Sequence, residues 1–107
     1  MVTDDFIAVR RLEVAGEPER EVAVAIKKPT PDGDNFRCEF QILGLGNDKV
    51  RYSMGVDAIQ ALDLAMKHAG VCLYTSPEGK RGVLRWLGGR DLGMPLTDNV
   101  IDLIPRE

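Results

Sequence analysis

Apolar and polar residues alternate with period two through most of the first half of the chain, and recur every three to four residues in one stretch of the second. The sharpest alternation sets Phe36, Cys38, Phe40 and Ile42 against Arg37, Glu39 and Gln41, the mark of a half-buried strand. Val50, Tyr52 and Met54 repeat it against Lys49, Arg51 and Ser53. Between the two runs, Gly44-Leu45-Gly46-Asn47-Asp48 supplies turn residues, because Gly and Asn tolerate positive φ. A hairpin there pairs Ile42 with Val50, Phe40 with Tyr52 and Cys38 with Met54, all six side chains on one face.

Upstream, Val22, Val24 and Ile26 mark a strand from about Glu21 to Lys28, with Ala23 and Ala25 opposite. The connection Pro29–Asn35 contains Pro31-Asp32-Gly33, residues suited to a tight turn. An even register across it pairs Ile26 with Phe36 and Val24 with Cys38. The first strand, Phe6 to about Val14, changes parity: Ile7 and Val9 fall on one side, Leu12 and Val14 on the other. The switch at Arg10-Arg11 predicts a β-bulge or a bend at a sheet edge. Gly16-Glu17-Pro18-Glu19 then turns the chain back.

From Gly55 to about Leu73 the period becomes helical. Ile59, Leu62, Met66, Ala69 and Leu73 form an apolar stripe, flanked by Ala58, Ala61, Ala65 and Cys72, small enough for close approach to a sheet. Asp57 and Gln60 have capping-box spacing, and Asp63–Lys67 is a favourable i,i+4 pair. Ser76-Pro77-Glu78-Gly79 ends the helix, and a short strand follows over Gly82–Leu87. Gly88 to Glu107 is an irregular tail with one apolar run, Val100–Ile104. The pattern predicts one α+β domain over residues 1–107: an antiparallel four- to five-stranded β-meander with one long helix on one face, in the order β-β-β-β-α-β. One helix covers only part of such a sheet, so the tail around Val100–Ile104, or a second subunit, is expected to cover the rest. The opposite face, with Arg37, Glu39, Gln41, Lys49, Arg51 and Ser53, is expected to meet water or a partner.

Composition narrows the classes. The 107 residues are 44% hydrophobic, enough for one core. No apolar run approaches the roughly 20 residues of a bilayer span, so no membrane association is expected. The acidic start Met1-Val2-Thr3-Asp4-Asp5 differs from a basic targeting segment, and a cytoplasmic location follows as the expectation. Fourteen basic and 17 acidic residues give a net charge of −3, against a binder that neutralises many phosphates. Cys38 and Cys72 lack zinc-like spacing with each other or with His68; both are expected to be reduced, buried thiols. No metal or cofactor is expected.

His68 and Cys72, four apart on the helix, have the spacing of a nucleophile and its base or of two metal ligands. No third residue stands at ligand spacing, and a histidine beside a core thiol is the simpler reading. Asp57, Gln60 and Asp63 are explained by capping and solubility. The Gly44–Asn47 loop lacks the Gly-Lys-Ser/Thr ending and following helix of a phosphate cradle. No catalytic residue is therefore assigned. The stretch Trp86–Pro95 holds the only tryptophan, several glycines and a charged pair without periodicity. It reads either as a cap on the core or as a binding loop in which Arg85, Trp86 or Arg90 meets a partner, tryptophan and arginine being enriched at interfaces. Arg37 and Arg51, with Lys49, are the residues a nucleic acid would use on the sheet face, although no aromatic interleaves there to stack bases.

Three stretches together resemble a family of small bacterial single-domain proteins known only as a domain of unknown function. They are Cys38-Glu39-Phe40-Gln41-Ile42 before a glycine-containing turn, Gly55-Val56-Asp57-Ala58-Ile59-Gln60-Ala61-Leu62 opening the helix, and Trp86-Leu87-Gly88 followed by Leu92-Gly93-Met94-Pro95. The resemblance covers roughly residues 36–95 and implies no activity or site residue. The function expected from the residues is a non-catalytic protein-binding module, adaptor or immunity-like, whose partner is another protein or a second copy. The alternatives are a small enzyme or ligand binder with its site at an oligomer interface, and a weak nucleic-acid binder acting through the polar sheet face.

Overall fold

The computed structural model describes residues 6–97. The period-two segments form β1 (Phe6–Val14), β2 (Glu21–Lys27), β3 (Thr30–Asp32), β4 (Asn35–Leu43) and β5 (Arg51–Gly55). They are followed by α1 (Ala58–Thr75), a one-turn α2 (Pro77–Lys80) and β6 (Leu84–Arg85). The strands run in the order β3-β4-β2-β1-β6, with β5 also on β4. Phe36, Arg37 and Phe40 of β4 pair with β5 as well as with β3 or β2, so β5 occupies the other edge of β4. All pairs are antiparallel. The fold is thus α+β, with one long helix on one face of the sheet. No helix among the described residues is long and apolar enough to cross a membrane.

The register departs from the sequence pattern in two places. Asp32–Asn35 is a tight turn around Gly33, at φ +63°, but it closes only the short β3–β4 hairpin. β2 joins β4 further along, with Ile26 opposite Phe40 and Val24 opposite Ile42. The parity is preserved, so the same side chains still face the core. At the β4–β5 hairpin the parity itself changes: Phe40 faces Arg51, Cys38 faces Ser53, and Tyr52 faces Glu39. A one-residue slip moves a whole strand to its other face. Tyr52 and Met54 therefore join Arg37 and Glu39 on the open side, whereas Arg51 and Ser53 lie beneath the helix. The close approach of α1 to β5 accompanies this register: a Cβ on Gly55 would sit 2.4 Å from the Ala61 nitrogen, and small residues, Gly55 and Ser53, stand on the helix side at that end of the strand.

The same approach rotates the helix. Its buried line is Ala61, Ala65, Ala69, Gly70, Leu73 and Tyr74, which joins the flank residues Ala61 and Ala65 to Ala69 and Leu73 from the C-terminal half of the expected stripe. Leu62 and Met66 are half-buried, and Ile59 is 80% exposed. Asp57 caps α1, its Oδ1 accepting from the Gln60 backbone N–H at 2.8 Å while Gln60 Oε1 accepts from Val56 N–H at 2.7 Å. Ser76 caps α2 with Pro77 at its first position, which is why the Ser-Pro-Glu-Gly stretch makes a helical turn rather than a simple stop.

The core-side face of β1 also corrects the pattern. No bulge occurs at Arg10-Arg11: pairing with β2 is continuous from Ala8 to Glu13, and the irregularity lies between Phe6 and Ala8. Arg10 shares the parity of the buried Leu12 and Val14, so a guanidinium occupies an apolar position. Helix α1 lies over β4 and β5. The β1–β2 half of the face is covered by residues 86–97, which insert Leu92, 1% exposed, and Met94, 7% exposed, into the core. Cover for the rest of the sheet thus begins well before Val100–Ile104, which lie outside the described residues.

Candidate interaction surface

β6 is only two residues long because the chain turns sharply at once. Trp86 and Gly89 exchange both backbone hydrogen bonds, at 2.9 and 3.0 Å, around Leu87 at φ +52° and Gly88 at φ +85°. Two central residues at positive φ make a type I′ hairpin turn, the form that matches strand twist and favours Asn-Gly. Leucine is a poor choice there, since its Cβ crowds the carbonyl in the left-handed region. It is also 83% exposed, so no packing explains it. Glu13 Oε1 accepts from the Gly88 N–H at 3.3 Å, fastening the turn to β1.

Beside the turn, the Arg10 guanidinium lies 3.8 Å over the Trp86 ring and donates from Nη1 to the Leu92 carbonyl at 3.1 Å. The backbone of Gly93 passes the same ring, where a Cβ would fall 2.4 Å from Cζ3; the residue sits at φ +70°. Leu92 N–H donates to the buried Tyr74 hydroxyl at 2.8 Å; burial pushes the Tyr74 pKa up, keeping the phenol neutral as an acceptor. The glycines of Trp86–Pro95 thus let the segment pass between an aromatic ring and a helix.

A groove of about 610 Å³ runs between this turn and the β1–β2 connection, lined by Arg11, Glu13, Glu17, Pro18, Arg20, Glu21, Trp86 and Leu87 among others. Its wall is held by Arg20, whose Nη2 meets Glu78 Oε2 at 2.6 Å and the Gly44 carbonyl at 3.1 Å, and whose Nη1 meets Glu17 at 3.2 Å. One arginine thereby ties the β1–β2 turn, the β4–β5 turn and α2 together. The hydrogen bond from Arg20 lowers the Glu78 carboxyl pKa below its ordinary value, against the opposing effect of burial.

Of the residues singled out from sequence, Arg85 and Trp86 come together at this surface: Arg85 pairs with Glu13 in β6, and Trp86 follows it. Arg90 is exposed just past the turn. Arg37 and Arg51 do not join them, nor do they share a face. Arg37 lies on the open side, its guanidinium 3.6 Å over Tyr52 and 3.0 Å from Glu39, while Arg51 faces the helix. The basic sheet face expected for a nucleic acid is thereby divided, although Tyr52 does place an aromatic beside Arg37. His68 Nδ1 meets Ser53 Oγ at 3.2 Å and its ring packs edge-on against Phe40. Burial pushes the Cys38 and Cys72 thiols up, away from the thiolate that nucleophilic chemistry requires. Among the described residues no group of three His, Cys, Asp or Glu side chains gathers as a metal site would need. Arg10, Arg20 and Leu87 were not legible as site residues; the parity break at Arg10 was the one available signal.

No curated protein and no solved structure matches the chain. One family model, described as a domain of unknown function (DUF6968), matches residues 8–96. That span contains all six strands except the start of β1, both helices and the Trp86 turn.

Proposed function

The chain belongs to the DUF6968 family, and from its geometry we propose that it is a non-catalytic protein-binding module whose contact surface is the Trp86–Leu87 turn and the groove beside it. The observation that carries this reading is Leu87: a large apolar side chain, 83% exposed, held at positive φ in a turn closed by the Trp86–Gly89 backbone pair. Strain of this kind persists where the exposed group has a use. Trp86 and Arg11 line the groove with it, and both residue types are enriched at interface centres. The groove alternates acids and bases, which favours a partner with complementary charges and a salt-sensitive association rate.

The test is a tagged pull-down from native-host lysate with wild type and Leu87→Asn, each at low and high salt and read by mass spectrometry. The variant suits the turn better than the native residue does, so it folds. A near-stoichiometric partner held by wild type and lost by the variant supports the module. An identical set of retained proteins for both chains overturns this surface.

A further inference from the structure

We infer that the cavity between the C-terminal end of α1 and the β4–β5 connection is a binding site for a small carboxylate carrying a short apolar tail. It lies apart from the Trp86 turn and does not depend on the protein-binding reading.

The cavity holds about 270 Å³, just under the roughly 300–1,000 Å³ of sites that accept drug-sized ligands, and so suits a smaller molecule. Ile42 and Leu45 supply apolar wall; Arg51, Asn47 and Cys72 supply polar wall. The β5 register turns Arg51 toward the helix, where it is half-buried. Arg10, Arg20 and Arg37 are all engaged, by Trp86 and the Leu92 carbonyl, by Glu78, and by Glu39 with Tyr52. Among the described residues Arg51, like Arg85 in β6, is half-buried with neither an acidic partner nor a side-chain hydrogen bond, and of the two only Arg51 lines this cavity. A half-buried guanidinium without a protein partner keeps its planar fork free, and that fork fits a carboxylate in two parallel hydrogen bonds.

The remaining polar groups point to the same ligand class. The Thr75 hydroxyl donates to the Val71 carbonyl and the Ser76 hydroxyl to the Leu73 carbonyl, both at 2.7 Å. Their protons are committed to the Val71 and Leu73 carbonyls. Asn47 Oδ1 accepts from the Lys49 N–H at 3.3 Å, which leaves its amide N–H groups to donate. Burial pushes the Cys72 thiol pKa up, and the positive charges of Arg51 and Lys49 oppose that rise. The helix C-terminus offsets about half a charge, less than Arg51 alone carries. The unpaired donors at the cavity are the Arg51 guanidinium and the Asn47 amide, and together they call for an acceptor on the ligand.

The experiment titrates the full ¹⁵N-labelled chain with 4-methylpentanoate, with the neutral 4-methylpentanamide, and with inorganic phosphate, following amide shifts by NMR. The expected result is saturable shifts at Leu45, Asn47, Arg51 and Cys72 with the carboxylate only, and slower alkylation of Cys72 in its presence. Arg51→Gln should weaken binding by roughly tenfold or more, and Arg51→Lys, which keeps the charge but loses the fork, by less. Equal binding of the amide, equal or tighter binding of phosphate, or no saturable shift with the carboxylate would each overturn the site. If Arg51→Gln does not fold, the amide comparison and Arg51→Lys decide the matter on their own.

Discussion

The Arg10 guanidinium stacks on Trp86 at 3.8 Å and hydrogen-bonds the Leu92 carbonyl beyond it, so one charged side chain on the first strand holds at two points the segment that completes the core. Removing it loses a cation–π contact, a charge-assisted hydrogen bond and the packing of its methylene stem. Arg10→Ala should cost about 1–3 kcal/mol in urea denaturation. The single tryptophan provides the second readout: Trp86 emission should shift to the red as the ring loses its cover. An unchanged midpoint and spectrum would show that Gly93 and Tyr74 hold the segment unaided.

Leu87→Asn gives the opposite sign. Relief of a left-handed leucine is worth about 1 kcal/mol, or a rise of roughly 4–8 °C in Tm for a domain of this size. Differential scanning calorimetry checks it. A native residue that lowers stability where nothing packs against it is retained for another reason, which links this measurement to the pull-down.

Gly55→Ala should lower stability by about 1–3 kcal/mol or more. The added methyl meets backbone atoms of Gln60 and Ala61 at 2.4–2.9 Å, and backbone does not yield as a flexible side chain does. A stable Gly55→Ala variant in thermal denaturation would mean that α1 shifts freely on β5.

The Arg20–Glu78 pair sets an acid limb on stability. Because the Glu78 pKa is lower in the folded chain than its ordinary value of 4.5, its contribution is present above pH 4.5 and lost as the pH falls through the folded value. Urea midpoints measured between pH 7 and 3 should fall at the acid end, and Glu78→Gln should flatten the part due to this residue. An equally steep fall in the variant would assign the limb to other carboxylates.

Cys38 is fully buried and Cys72 partly so, both with raised thiol pKa values. At neutral pH a disulfide-exchange reagent should label Cys72 slowly and Cys38 only on unfolding, and Cys72 labelling should quicken as the pH is raised. Fast labelling of both thiols in the folded chain would contradict this burial.

The sequence pattern and the structure agree where side-chain size and polarity both point the same way. Cys38, Phe40 and Ile42, and Val22, Val24 and Ile26, face the core in both. The β-meander, the Asp57 cap and the long helix follow from alternation and spacing. The disagreements have separate physical origins. Hydrophobicity marks which residues want cover, but close approach is governed by size: Ala61, Ala65, Ala69 and Gly55 let the helix lie close to β5, with Ile59 left in solvent and Tyr52 and Met54 on the open face. Arg10 reads as a break in a strand because its charge hides the aliphatic stem and the π contact that let it occupy a core-side position. Trp86–Pro95 carries no period because its geometry is set by tertiary contacts to Arg10 and Tyr74.

The division of cover over the sheet also orders events in time. β1 and β2 leave the ribosome before the rest of the sheet, yet their apolar face is sealed by Leu92 and Met94, among the last of the described residues to be made. Val22, Val24 and Leu12 must therefore wait uncovered while the intervening chain is synthesised, with the alternating strands β1 and β2 already able to pair. During that interval the nascent chain presents a sticky half-sheet. Synthesis that stalls in the glycine-rich stretch after Trp86 would leave the half-sheet open, a substrate for chaperones or for pairing with its neighbours on the same message.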